Sequence, residues 1–540
     1  MRHRATLIAV CCALVSLVFG SLWLRAQRND TRPLSSLVPA GAMFYLEAKD
    51  FSHLLNQWNS SEERRRWLKS DNASVLSESR LLQRLIQSQV QYATVAGVPV
   101  EMSLVNELAG SQSAFALYDF STVHFVYLTR LAGAQLDQSN LWKVRGSYQT
   151  RDVAGIPFYV KTATQGRDSF TVTFASHDGW LVIATEPSLI ARTLVLLASQ
   201  PEASIAGDTW FADTVKQLPQ AGDVRLVYNL TALRKTPQFR TYWIQRNITE
   251  LGAYTSGSAD LFEQESGFEE QRVLLRSSRA QSSAETQSLT QVINHIPQES
   301  SLYRAWSTPT RELVRSALRQ VVLGESADAP NLSRYAPQVS AEEPEIGSES
   351  DLETRIDEPE FHKSAAGRVD DLTDAVMAMG PLALLHSQST RVADDRVFVL
   401  PESEVSLVCA KPDLSALQGV LERAVDMTKT GALDPLRTAR ESNTLVVSRM
   451  PQHAFDKAPV VLPGETYVAG YDQVAEWPRY KRLFGIVDRS VPGAPGFTGF
   501  FSANLHSLGD SLNRLRRASL LTQDEGMVTR DTVRYEFLTR

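Results

Sequence analysis

A short pattern recurs along the chain and constrains its architecture more than any other feature. In each copy a proline precedes a strand-like run of about six residues, and Asp, Asn or Thr then opens a helical pattern. The copies begin at residues 38, 218, 296, 400, 462 and 494. Proline ends a preceding helix and favours an extended chain, and a short polar side chain caps a helix by accepting hydrogen bonds from its free N–H groups. Six copies predict repeated strand–helix units.

The pattern assigns a helix-cap role to one polar residue in each copy. These residues are Asp50, Asn229, Thr308, Asp413, Asp472 and Asn504. His53 and His506 follow two of the caps, and we interpret them as positions on amphipathic helix surfaces. A site shared by these two histidines is the alternative.

Local patterns between the copies predict further elements. Residues 170–185 contain two apolar, β-branched runs around Asp178-Gly179, which is typical of a β-hairpin. Residues 186–199 then change to helical spacing, with Pro187 in the first turn. Ser60 and Glu63 form a capping-box pattern ahead of Arg64, Arg65 and Arg66. This basic triplet is therefore interpreted as a solvated helical turn.

The N-terminus carries a charge-free apolar run over residues 6–24, after Arg2 and Arg4. A helix of this length rises about 28 Å, close to the ~30 Å hydrocarbon thickness of a bilayer. The run is longer than the apolar core of a usual signal peptide. We therefore predict a membrane anchor in residues 1–27 that contacts the bilayer through 6–24, with a cleaved signal peptide as the alternative. The expected topology is a single-pass inner-membrane protein whose bulk is periplasmic.

Charge and cysteine content exclude several classes of function. The net charge of −6 provides no global attraction for nucleic acid. Two of the three cysteines, Cys11 and Cys12, lie in the apolar run, which leaves Cys409 without a partner for an internal disulfide in the rest of the chain. We interpret Cys409 as a small buried strand residue.

Residues 325–371 are acidic and poor in apolar side chains. Such a segment cannot bury enough surface to offset its ordering entropy. We predict a disordered insert, either a solvated surface loop or an acidic docking or calcium-attracting segment.

The segment AGDTWFADTVKQLPQAGDVRLVYNLTALRK, residues 206–235, resembles a recurrent segment of a family of bacterial envelope proteins catalogued as a domain of unknown function. The shared features are an acidic-aromatic helix, a Leu-Pro pair and a strand that ends in Tyr-Asn-Leu, together with the N-terminal apolar run. The resemblance covers 37–320 and more loosely 373–540. It implies an envelope location and the fold, and it brings no activity, cofactor or catalytic residue.

The letters GDSL at 509–512 are the most attractive catalytic motif, because a family of lipases and esterases carries its nucleophilic serine there. In that family the histidine lies far downstream, whereas no histidine follows Ser511 here. Leu505, Leu508, Leu512 and Leu515 lie at helical spacing around it. We therefore expect Ser511 to be an ordinary helical serine.

Other motifs for chemistry are missing from the sequence. It contains no phosphate-binding P-loop, no HExxH and no CxxC, and the glycines of PGAPGFTG at 492–499 lack the dinucleotide-binding spacing. The sequence therefore predicts no catalytic residue, no metal site and no cofactor. Dispersed tryptophans are interpreted as packing residues, with a carbohydrate or hydrophobic groove as the alternative.

We expect an α+β fold of repeated strand-helix units and β-hairpins, forming antiparallel or mixed sheets in two lobes, preceded by one transmembrane helix. The predicted division is an anchor (1–27), a tether (28–36), a first lobe (37–290) and a second lobe (291–540) interrupted by the acidic insert. The expected function is a non-enzymatic scaffold or binding module of the cell envelope, with envelope proteins or polymers as partners. The alternatives are an envelope-directed hydrolase and a carrier of lipid or another hydrophobic ligand.

Overall fold

All strand pairs in the described part of the chain are antiparallel, and together they join 18 strands into one continuous sheet. The computed structural model describes residues 32–69, 80–120, 123–165, 168–218, 220–236, 252–279, 286–298, 300–323, 360–392, 399–425, 436–450, 460–461, 463–472 and 515–538.

The strands, in chain order, are β1 (Phe44–Ala48), β2 (Ser113–Asp119), β3 (His124–Arg130), β4 (Gln149–Val153), β5 (Ile156–Gln165), β6 (Asp168–His177), β7 (Trp180–Ala184), β8 (Val224–Tyr228), β9 (Tyr254–Gln264), β10 (Gly267–Arg276), β11 (Leu302–Ser307), β12 (Pro381–Val392), β13 (Val399–Cys409), β14 (Arg437–Glu441), β15 (Thr444–Ser448), β16 (Glu465–Asp472), β17 (Leu515–Asp524) and β18 (Val528–Phe537).

The α-helices of the described residues are α1 (Phe51–Ser60), α2 (Glu62–Leu68), α3 (Arg80–Ala96), α4 (Met102–Leu108), α5 (Gly133–Gln138), α6 (Asn140–Lys143), α7 (Pro187–Leu197), α8 (Thr209–Val215), α9 (Leu230–Leu233), α10 (Thr286–Ile293), α11 (Arg311–Leu323), α12 (Glu360–Ala378) and α13 (Leu414–Val425). Short 3-10 turns occur at Leu34–Leu37, Arg145–Ser147 and Ile205–Gly207.

The order of the strands across the sheet reveals an internal duplication. This order is β4-β5-β6-β7-β3-β2-β1-β8-β9-β10-β18-β17-β16-β11-β12-β13-β15-β14. In the first half, β1 lies between β2 and β8, and β3 joins β2 to β7. In the second half, β11 lies between β12 and β16, and β13 joins β12 to β15 in the same way. Only the β4–β5 hairpin lacks a counterpart among the described strands. The first ten strands and the last eight therefore repeat one connectivity.

The two halves of the sheet meet at equivalent strands, β10 and β18. These strands pair over nine residue pairs, from Gly267–Glu536 to Leu275–Val528. Side chains reinforce the join, because Arg276 lies 2.6 Å from Asp524 and Arg534 lies 3.1 Å from Glu269. The prediction of two lobes was wrong, because the backbone hydrogen bonds continue without interruption from one half into the other.

The transmembrane helix in the predicted fold class is not supported either, because no helix in the described residues is long and apolar enough to cross a membrane. The apolar run 6–24 lies outside the described residues. At the boundary between the predicted tether and the first lobe, Leu34–Leu37 forms a 3-10 turn with buried Ser35 and Leu37.

Three of the predicted helix caps are confirmed. The side-chain oxygens of Asp50, Asn229 and Asp413 accept hydrogen bonds from backbone N–H groups three residues ahead, at 2.9, 2.9 and 3.0 Å. The strands before the first two caps are β1 and β8, which pair with each other in the first half. The recurring pattern therefore marks structural units.

Two of the predicted caps were displaced by one or two residues, and two more were not tested. Helix α11 begins at Arg311, and Thr310 accepts from Leu313 N at 3.3 Å, so this cap lies two residues after Thr308. Ser61 rather than Ser60 caps α2, accepting from Arg64 N at 3.1 Å, because Ser60 still belongs to α1. Asp472 ends β16, and the residues after it, as well as Asn504, lie outside the described residues.

The predicted hairpin is confirmed, with β6 and β7 joined by Asp178 and Gly179 at φ +48° and +79°. Two consecutive positive φ angles suit the right-handed twist of a two-residue hairpin. The helix after it is confirmed as α7, with Pro187 in its first turn.

The predicted disordered insert extends too far toward the C-terminus. Residues 360–371 belong to helix α12. Its Val369, Leu372 and Val376 are buried, at a spacing that places them on one helical face. The acidic composition around this stripe concealed it.

Helices cover both faces of the sheet. In the first half, α7 and α8 pack on one face and α3 to α6 on the other. In the second half, α11, α12 and α13 lie on one face and α10 on the other.

Candidate functional site

A cavity of about 460 Å³ lies in the first half of the sheet, beneath α1, α3 and α4. Its floor consists of side chains from neighbouring strands, because alternate residues of a strand face the same side. Leu46 pairs with Phe115, Phe115 with Tyr127, and Tyr127 with Ile183, so these side chains form a row across β1, β2, β3 and β7.

Helices supply the walls of the cavity. Gln89, Tyr92 and Ala96 line it from α3, where their spacing of three and four residues places them on one helical face. Leu104, Val105 and Leu108 line it from α4. Asp50, the confirmed cap, positions Phe51 at the start of α1, where it lines the cavity.

The polar side chains of the wall are satisfied by other protein groups. Ser113 Oγ lies 2.7 Å from Thr129 Oγ1, and the Tyr127 hydroxyl donates to Leu108 O at 3.0 Å. Gln89 Nε2 donates to Val100 O. Thr185 Oγ1 donates to Val123 O at 3.0 Å and accepts from Phe125 N at 2.9 Å.

The described part of the cavity wall carries no charge at neutral pH. None of the 20 described residues that line it is Asp, Glu, Lys, Arg or His. Burial raises the pKa values of Tyr92 and Tyr127 above the ordinary tyrosine value, so both phenols stay protonated. An apolar wall with satisfied polar groups favours an apolar ligand, because a polar ligand would lose its hydration without compensation.

The equivalent face of the second half carries a buried apolar cluster among the described residues. There α11 and α12 place Val314, Leu318 and Leu372 against Leu407 and Leu445 of the sheet in one buried cluster. Ala317 of α11 belongs to this cluster and is 3% exposed. The same connectivity thus supports a buried core in both halves, and in the first half a cavity lies beside that core.

The residues tested for chemistry in the sequence do not converge. Cys409 is buried in β13, as predicted, and burial raises the pKa of its thiol to about 11. His53 is exposed on α1. His506, Ser511 with the GDSL letters, and the glycines of 492–499 lie outside the described residues.

No three His, Cys, Asp or Glu side chains come together as potential metal ligands in the described ranges. No tryptophan is among the described residues that line the cavity. The cavity-lining residues of α3 and α4 were missed from the sequence. The available signal was the presence of apolar residues on more than one face of α3, with Ile86 and Val90 offset from Tyr92 and Ala96.

No family model matches this chain, and no curated protein matches it. Among solved structures, crystal form I of TP0453 aligns with 12% sequence identity over 47% of this chain and 82% of that chain, at a TM-score of 0.25. A likeness at this level carries no argument about fold or function.

Proposed function

We propose that this chain is a non-enzymatic binding protein that holds one apolar ligand, of the class of a fatty acyl chain, in the cavity beneath α1, α3 and α4. The observation that carries the proposal is the cavity of about 460 Å³ with an uncharged, largely apolar wall. Its volume falls within the range of ~300–1,000 Å³ that is typical of small-molecule sites.

The chemistry of the wall argues against the hydrolase alternative at this site. A hydrolase requires a nucleophile and a base within hydrogen-bond reach of each other. The serine of the described wall, Ser113, lies against Thr129, and no histidine or carboxylate is among the described lining residues. Transfer of a ligand without bond cleavage needs none of these groups.

The expected affinity follows from the buried hydrocarbon. Each buried methylene contributes about 0.8 kcal/mol, so about twelve of them contribute roughly 10 kcal/mol. Association costs at least ~4 kcal/mol of lost freedom. The difference corresponds to a dissociation constant of roughly 10–100 µM, with tighter values for longer chains that still fit.

A series of saturated fatty acids of increasing length tests the proposal, by displacement of cis-parinaric acid followed by fluorescence. We expect the affinity to rise about fourfold per methylene, as ~0.8 kcal/mol implies, and to level off once the cavity is full. An affinity that is independent of chain length, or a chain that shows no saturable binding, would refute the proposal.

A further inference from the structure

Exposed apolar side chains are concentrated on helices α1 to α4, three of which line the cavity. Among the described residues, nine large apolar side chains are exposed, and six of them lie on α1 to α4. These six are Trp58, Leu68, Ile86, Val90, Met102 and Val105. We refer to them as the apolar patch. Single exposed apolar residues are ordinary, whereas a concentration of them marks an interaction surface.

Helix α3 has apolar residues directed both inward and outward. Ile86 and Val90 are one turn apart and exposed, and Val90 is 59% exposed. Tyr92 and Ala96 line the cavity from a different face of the same helix. Burial against the sheet explains the inner residues, whereas the outer pair is exposed and available to a second apolar environment.

One residue of the apolar patch also belongs to the cavity wall. Val105 lines the cavity and is also 37% exposed, so it lies where the cavity opens. On the same helix, Met102 is one turn away and exposed. Asn59 Nδ2 donates to Asn106 Oδ1 at 2.9 Å, which holds the end of α1, with Trp58, against α4.

Positive charge borders the patch on α2. Arg64, Arg65, Arg66 and Lys69 outnumber Glu62 and Glu63 there, although the whole chain carries −6. Glu62 pairs with Arg65 at 2.6 Å and with Arg66 at 3.1 Å, which neutralises only part of this charge. Cations beside an apolar helical surface complement an anionic lipid surface, at about 1 kcal/mol per basic residue.

We propose that the apolar patch docks onto an anionic lipid bilayer and that an acyl chain passes between the bilayer and the cavity beside Val105. The route of the ligand rests on the proposed function. The docking of the patch is a separate claim with its own readout. A second copy of the chain is the competing occupant of this surface.

The test follows a nitroxide label at Val90→Cys in the full chain with Cys11→Ser and Cys12→Ser. Cys409 stays unlabelled, because it is buried and its thiol pKa is raised to about 11. Met527→Cys is the matched control, because Met527 is 44% exposed in the β17–β18 turn. The measurement is the collision rate of each label with oxygen and with an aqueous nickel chelate, with and without phosphatidylglycerol vesicles.

We expect the ratio of oxygen to nickel accessibility at residue 90 to rise about threefold or more on vesicles, because interfacial helices bury their apolar face ~5–10 Å deep. The ratio at residue 527 stays unchanged, and Arg64→Gln with Arg65→Gln weakens the response at residue 90. An equal response at both labels, or none at residue 90, overturns the proposal. Concentration-dependent spin–spin broadening at residue 90 without vesicles also overturns it, because it assigns the patch to a second copy.

Palmitate binding by the same protein separates the two proposals. Palmitate binding without immersion of residue 90 overturns the docking alone. Immersion without palmitate binding overturns the ligand proposal and leaves the docking in place.

Discussion

Two alanine-to-phenylalanine substitutions should have opposite effects on stability if the cavity is open. Ala96 on α3 and Ala317 on α11 are both buried helical alanines above the same sheet, at 4% and 3% exposure. Ala96 faces the cavity, whereas Ala317 lies in the filled cluster of the second half. The pair therefore compares one substitution in an open and in a packed environment.

The expected magnitudes follow from burial and packing. A buried Phe side chain contributes ~1.5–3 kcal/mol relative to an exposed one, and ordering the side chain costs up to ~1 kcal/mol. Ala96→Phe should therefore raise the free energy of unfolding by about 1 kcal/mol. Ala317→Phe should lower it by ~1–3 kcal/mol, which is the usual cost of overpacking a filled core.

Thermal and urea unfolding of protein stripped of bound lipid on a hydrophobic resin provides the comparison. The difference between the two variants should be ~2–4 kcal/mol. If Ala96→Phe destabilises the protein as much as Ala317→Phe does, the space beneath α3 is not open and the cavity cannot hold a ligand.

Three further predictions concern stability and pH. Arg225 and Asp260 form a buried bidentate pair with two contacts of 2.7 Å. In urea unfolding, Asp260→Asn should lower the free energy of unfolding by ~3–5 kcal/mol, and the double substitution Arg225→Met with Asp260→Leu should lower it by less. Burial, with a smaller contribution from the charge of Arg304, lowers the pKa of His386 to about 3. As pH falls below 6.5, this histidine therefore becomes protonated in the unfolded chain while it is still neutral in the folded protein. Stability should therefore drop by about 2–3 kcal/mol between pH 6.5 and about 4.5, a loss that denaturant titrations of His386→Leu should not show. Asp50→Ala should lower the free energy of unfolding by ~1 kcal/mol, and Asp50→Asn should lower it by less than half of that, because Asn keeps an acceptor for the N–H group of His53. Calorimetric unfolding of the two variants measures this difference.

Local structure was predictable because the responsible groups are neighbours in the sequence. Asp50, Asn229 and Asp413 each accept from an N–H group three residues ahead, so the cap is visible in a short segment. The hairpin at Asp178-Gly179 is local in the same way. These features depend on backbone geometry that few residue types support.

The single sheet could not be predicted, because the decisive pairing joins distant strands. Gly267 of β10 pairs with Glu536 of β18 through backbone groups that every residue carries. Side chains at this join, such as Arg276 with Asp524, are ordinary surface charges in the sequence. An edge strand and an interior strand therefore look alike until the partner is known.

The cavity escaped prediction for a different reason. A buried apolar residue such as Ala96 or Leu104 has the same sequence signature whether it faces a neighbour or a void. The packed cluster around Ala317 and the cavity beside Ala96 both follow from helices with an apolar face. The envelope location and the membrane anchor concern residues outside the described ranges, and the location stays a prediction.

Equilibrium dialysis of the lipid-stripped full chain against radiolabelled palmitate tests the central claim most directly. The account predicts one saturable palmitate site per chain. The affinity for palmitate should be at least about tenfold weaker in Ala96→Phe, because roughly two or more methylenes of the ligand no longer fit into the cavity. The affinity should be unchanged in the surface control Met527→Ser. Equal palmitate binding by the wild type and Ala96→Phe, or no saturable site in the wild type, would contradict it.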